Sequence, residues 1–166
     1  MIMPVILVRI DDRLIHGQIV EGWLKPIKAN HILIVSEEVA KDKMQQILLG
    51  MAVPAGVKLT AVGVEDAAAK LKAGLFEKDN TLLLVSGPQY VLELVKRGID
   101  FKSVNVGGMH YSPGKKQISR TLSVNDEEIT ALMDLHKAGI ELEGRILPGD
   151  DRTDVYEILR KELNLP

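Results

Sequence analysis

Short apolar runs rich in Val, Ile and Leu alternate along this chain with segments whose apolar positions recur at helical spacing. The runs predict strands at 5–10, 31–35, 57–62, 81–85 and 103–106. The run at 81–85 is continuously apolar after Thr81, as a strand covered on both faces requires. A more polar stretch, 117–122, reads as a sixth strand, and 140–147 alternates as an antiparallel edge strand does. The first helix begins near His16 or Gly17 and stops before Pro26, which cannot continue it. A second runs to Leu49 behind Ser36, with Glu37 and Glu38 in an acidic first turn. Further helices are expected at 64–75, at 89–97 with Gly98 as the stop, and at 126–137 behind Ser123 or Asn125. A last one, 154–163, is capped by Thr153. Strands and helices in this order predict an α/β fold, a mostly parallel open sheet with helices on both faces. The first strand belongs near its centre. No repeat or linker divides the chain, so 1–166 reads as one domain.

Composition narrows the function classes. The 166 residues carry 46% hydrophobic and 27% charged positions, ordinary for a globular protein with a real core. A formal net charge of -2 gives no basic field for nucleic acid. The absence of cysteine excludes disulfides, thiol nucleophiles and cysteine metal sites. The apolar N-terminus, 1–8, is too short to span a bilayer and lacks the basic start of a signal peptide. A cytoplasmic protein is expected, one that reaches any membrane process by docking.

Chemistry concentrates in one strand-to-helix turn, Arg9-Ile10-Asp11-Asp12-Arg13-Leu14-Ile15-His16-Gly17-Gln18. In such a fold this turn lies at the carboxyl edge of the sheet, where ligands bind. Gly17 and Gln18 offer unpaired backbone N–H groups at a helix start, which suits an anion. Arg13 adds a planar donor fork fitted to phosphate oxygens. A histidine among these groups has what phosphoryl transfer through phosphohistidine needs: an attacking imidazole and a cradle for the charge. His16, Arg13 and Asp12 form the candidate catalytic set. Asp11 or Asp12 would orient Arg13 or accept the second imidazole N–H, and the sequence leaves open which. The plainer reading makes His16 a capping or partly buried structural histidine.

Gly107-Gly108 reads as a turn across the switch point from His16, where a backbone could approach a phosphoryl group. His110, just beyond it, could line the same site. His31 and His136 read as structural. Lys115, Lys116 and Arg120 form a small basic cluster, by default a solvated loop. Trp23 reads as a core residue.

The ten-residue turn resembles the phosphorylation-site turn of the IIB components of the mannose/fructose/sorbose family of the bacterial sugar phosphotransferase system. Asn105-Val106-Gly107-Gly108-Met109 resembles a second loop of that family, and length and element order fit along the whole chain. The resemblance implies that His16 is phosphorylated, at Nδ1, with Arg13 assisting. It implies a IIA phosphohistidine as donor, and a sugar held by membrane IIC and IID components as acceptor. It implies no metal or organic cofactor. Neither the sugar nor the oligomeric state is readable.

Three rivals fit less well. Histidine phosphatases and mutases place Arg-His-Gly contiguously, whereas Leu14 and Ile15 intervene here. A receiver domain needs an acceptor aspartate after its third strand, and Thr60-Ala61-Val62-Gly63 supplies none. The third is a non-catalytic anion- or nucleotide-binding α/β module, which would leave His16 unmodified; no Gly-Lys-Ser/Thr run or GxGxxG is present to support it.

Overall fold

The computed structural model describes residues 4–166, so 1–3 of the apolar N-terminal run lie outside it. Its strands are β1 (Val5–Asp11), β2 (His31–Val35), β3 (Lys58–Val62), β4 (Thr81–Val85), β5 (Ser103–Gly108), β6 (Lys116–Gln117), β7 (Ser123–Val124), β8 (Glu141–Gly144) and β9 (Thr153–Asp154). Seven of them form one sheet in the order β3-β2-β4-β1-β5-β8-β9, with β1 at its centre. All its pairings are parallel except β8 with β9. β6 and β7 make a separate antiparallel pair.

Strand parity sorts the core into two layers. Val8, Ile10, Leu33, Val35, Leu83 and Val85 face one cluster. It is covered by α3 (Val64–Lys72), α4 (Pro88–Lys96), α5 (Asp126–Lys137) and α6 (Val155–Glu162), numbered after α1 (Glu37–Lys41) and α2 (Lys43–Ala52). Ile32, Ile34, Leu82 and Leu84 face the other way, onto Ile19, Trp23 and Val39. The continuous apolar runs therefore bury both faces, as parallel strands do.

The structure corrects several expectations. The first helix stands where expected, between Gly17 and Pro26, but its type is new: Gln18–Trp23 is π-helical, with the Leu24 N–H donating to the Ile19 carbonyl at 3.1 Å. The wider turn brings residues five apart into line, and Ile19, Trp23 and Leu24 are all buried. The helix expected up to Leu49 breaks at Asp42, whose extended backbone ends α1 and whose carboxylate caps α2 from Gln45 N. Of 117–122 only Gln117 lies in a strand, as the end of β6; the chain then turns tightly, because Ile118 donates back to the Leu122 carbonyl at 2.8 Å and both side chains enter the core. The alternating segment 140–147 contributes only β8, which runs parallel to β5; the antiparallel edge is β9. Asp154, not Thr153, caps α6. Gly107 and Gly108 end a strand and form no turn. Among the alternatives behind α5, Asn125 is the cap, in a reciprocal capping box with Glu128.

His31 sits at the opposite end of the sheet, buried against Phe76, with Nε2 at 2.8 Å from Thr60 Oγ1 and Nδ1 at 3.4 Å from Asp79. Burial lowers its pKa, and Asp79 only partly opposes this. The unfolded chain therefore takes up the proton first as pH falls, and His31 loses its stabilising contribution below about pH 6.5. Denaturation midpoints measured from about pH 7.5 down to 5.5 should fall more steeply for the wild type than for His31→Gln.

Candidate functional site

The site is built on the parity of β1. Val8 and Ile10 face one core cluster, so Arg9 and Asp11, two residues apart, share the opposite face. Both are fully buried. Arg9 Nη2 donates to Asp11 Oδ2 at 3.1 Å, and Nη1 donates to Asn105 Oδ1 at 2.6 Å and to the Arg145 carbonyl at 3.0 Å. Its guanidinium lies 5.0 Å from the Trp23 ring centroid. Burial pushes the Arg9 pKa down, with Asp11 opposing.

Gly107 exists to make room for this group: a Cβ there would overlap the Arg9 guanidinium. Asn105 Nδ2 passes the chain of contacts on to Glu143 Oε1 at 3.1 Å, and Glu143 in turn accepts from Arg145 at 2.8 Å. That bond raises the Arg145 pKa. A line of alternating charge thus runs under the carboxyl edge of β1, β5 and β8.

Asp11 is the end of that line. Its Oδ2 also takes the hydrogen bond of His16 Nε2, at 2.8 Å. Oδ1 accepts from the Arg13 backbone N–H at 3.2 Å, which closes the turn. Leu14 completes the reversal at φ +58°, a left-handed conformation rare outside glycine, and its side chain is buried. The strain positions His16 over Asp11 and is held by burial of Leu14 and Ile15 in the Trp23 cluster.

A carboxylate only accepts, so the proton lies on Nε2, and His16 Nδ1 carries the lone pair. The Gln18 backbone N–H points at that nitrogen from 3.4 Å. Arg13 leans over the same mouth, its side chain half exposed, with Nη2 donating to Gln18 Oε1 at 3.1 Å. The result is an imidazole with Nε2 clamped by Asp11 and Nδ1 open among a cation and helix-start N–H groups.

Of the residues the sequence singled out, the structure brings His16, Asp11, Arg13, Gly17 and Gln18 together. Asp12 stands elsewhere: both its oxygens accept from His110, one from Nδ1 and one from the backbone N–H, each at 2.6 Å. A Cβ at Gly108 would come within 3.1 Å of Asp11 Oδ1 and 3.2 Å of His110 Cε1, so the glycine separates two His–Asp pairs. The basic cluster dissolves, since Lys115 is tied to Glu128 at 2.9 Å. Sequence reasoning missed Arg9, Asn105 and Glu143. A charged residue at the centre of an apolar strand was the available signal for Arg9. Trp23 is in the core as expected, and Arg145 also stacks on it at 5.3 Å.

Residues 5–165 match the model of a family described as PTS system sorbose subfamily IIB component. The chain is 38% identical over 158 residues to the PTS system fructose-specific EIIB component of Bacillus subtilis, covering 95% of this chain and 97% of that protein. It is 36% identical over 159 residues to the mannose-specific EIIAB component of Escherichia coli, of which it spans 49%. Its backbone superposes on the IIBSor domain of the sorbose permease from Klebsiella pneumoniae with a TM-score of 0.89 at 33% identity, covering 95% of this chain and 96% of that one.

Proposed function

Since the chain belongs to the sorbose subfamily of PTS IIB components, which transfer phosphoryl groups in sugar uptake, we propose that His16 is its phosphoryl carrier and Nδ1 the atom that bonds phosphorus. The observation that carries this reading is the clamp on His16: Nε2 tied to Asp11 and Nδ1 left open toward Gln18. The neutral ring attacks the phosphoryl group of a IIA phosphohistidine. The P–N bond to the donor breaks as the bond to Nδ1 forms. Asp11 holds the Nε2 proton and offsets the positive charge the ring acquires. The Gln18 N–H turns from Nδ1 to a phosphoryl oxygen, and Arg13 supplies the balancing cation. The phosphoryl group then passes to a sugar presented by membrane IIC and IID components. Relatives named for fructose, mannose and sorbose supply the acceptors to try first. Among the described residues no helix is long and apolar enough to cross a membrane, and this reading places the protein on the cytoplasmic side of its transporter.

Incubation with phosphorylated IIA should leave an acid-labile, base-stable label on the chain, with phosphorus–nitrogen coupling in NMR at Nδ1. A label at Nε2, or none, refutes the proposal. Arg13→Ala should fold normally, because its guanidinium is half exposed, yet accept the label about 10² more slowly, as loss of one placed charge donor does. Stopped-time labelling with limiting IIA measures this, and an unchanged rate removes Arg13 from the mechanism.

A further inference from the structure

We infer that His110 is a second catalytic histidine, the general base that takes the proton from the hydroxyl accepting the phosphoryl group. The inference rests on His16 being the carrier. A hydroxyl cannot attack phosphorus and keep its proton, and among the described residues neither Asp11 nor Arg13, the two charged groups at His16, is free to take it. Asp11 is saturated by Arg9, Arg13 and His16. Arg13 has no lone pair to offer. His110 stands on the other side of Gly108, with Cε1, the carbon between its ring nitrogens, turned toward Asp11 across the space a Cβ would fill.

Asp12 grips His110 twice, at the backbone N–H and at Nδ1, both at 2.6 Å. That grip fixes the tautomer with the proton on Nδ1 and leaves the Nε2 lone pair outward. Among the described residues Nε2 has no hydrogen-bond partner, and the side chain is 50% exposed. A carboxylate bonded to one imidazole nitrogen, with the other nitrogen open, is the arrangement of a general base, and here it stands one glycine away from the carboxylate that holds His16. The adjacent acids Asp11 and Asp12 thus serve different histidines, one that carries phosphorus and one that carries a proton.

The step balances. The acceptor oxygen bonds to phosphorus as the bond from phosphorus to His16 Nδ1 breaks, and its electron pair returns to that nitrogen. The hydroxyl proton passes to His110 Nε2. Asp12 stays ionised and stabilises the imidazolium through Nδ1–H, and the proton leaves later to water. Asp12 is here a positioning residue.

The test separates loading from discharge. Wild type, His110→Asn and His110→Ala are loaded from phosphorylated IIA. Each is then mixed with inverted vesicles carrying IIC and IID and with whichever of fructose, mannose or sorbose discharges the wild type. Asparagine can still donate to Asp12 but offers no base. Discharge should slow by about 10² in both variants, relative to loading in the same protein. Added imidazole should restore His110→Ala at least about tenfold, which a merely structural side chain would not allow. Discharge at the wild-type rate, failure of imidazole to rescue, or a loss confined to loading each overturns the assignment. A wild-type protein that never loads refutes instead the reading of His16.

Discussion

Replacement of His16 by asparagine should reduce labelling from phosphorylated IIA to background while leaving a folded protein. The asparagine amide stands where the ring's Nδ1 does and falls short of Asp11, but the buried carboxylate keeps the donors of Arg9 and of the Arg13 backbone, so the charged line from Arg9 to Glu143 retains its end. The ring is mostly buried but stands at the mouth of the site, and its loss should cost only about 1 kcal/mol. What disappears is the nucleophile, and with it the covalent intermediate. The other imidazoles cannot replace it. His31 is buried at the far end of the sheet, and His136 is stacked on Tyr156. His110 keeps an open Nε2, but it is held across Gly108 and the Gln18 N–H and Arg13 donors gather at His16 instead. Labelling and thermal melting on the same sample decide the point. A His16→Asn protein that labels as fast as the wild type, with an unchanged melt, would place the carrier elsewhere.

The turn was legible in the sequence because its chemistry is local. Arg13, His16, Gly17 and Gln18 lie within one short segment, and the donors around Nδ1 come from that segment itself. The roles of Asp11 and Asp12 were not legible, because they depend on where β1 ends. Asp11 is the last residue of the strand and shares the face of Arg9, whereas Asp12 begins the turn and points to β5. One residue of strand length decides which acid serves which histidine. The period-of-two argument that identifies the core face of β1 also places Arg9 beside Asp11, but only once both faces are known to be covered.

The fold divides in the same way. Apolar runs marked the strands β2 and β4 to the residue, since burial on both faces leaves each with a single polar position, His31 and Thr81, at its first residue. The two-residue strands β6, β7 and β9 carry no pattern of their own, being set by tertiary pairing. Gly107-Gly108 looked like a turn because glycines end strands. Here they extend β5, and Gly107 clears space for a guanidinium that sequence spacing cannot place there.

Substitution of Asp11 by asparagine should damage stability and transfer together, and in a way that reveals the tautomer. In one amide orientation the new NH₂ faces both Arg9 Nη2 and His16 Nε2, which donated to an oxygen there. Arg9 then loses its carboxylate while still buried, at a cost of about 3 kcal/mol. His16 must turn Nε2 into an acceptor, which moves its proton to Nδ1 and removes the attacking lone pair. In the other orientation the amide oxygen keeps His16 and Arg9 but presents its NH₂ to the Arg13 backbone N–H, and the turn opens. Neither orientation satisfies every donor, because Asp11 accepts on both oxygens and asparagine has one. Transfer should fall by between about 10² and 10⁴, the upper figure applying when the wrong tautomer dominates, as in a catalytic triad whose aspartate becomes asparagine. Urea unfolding gives the first loss and labelling rates the second. Nitrogen chemical shifts of His16 distinguish the orientations, since a proton on Nδ1 marks the flipped ring. A variant with wild-type stability, wild-type rate and its proton still on Nε2 would show that Asp11 neither orients His16 nor neutralises Arg9.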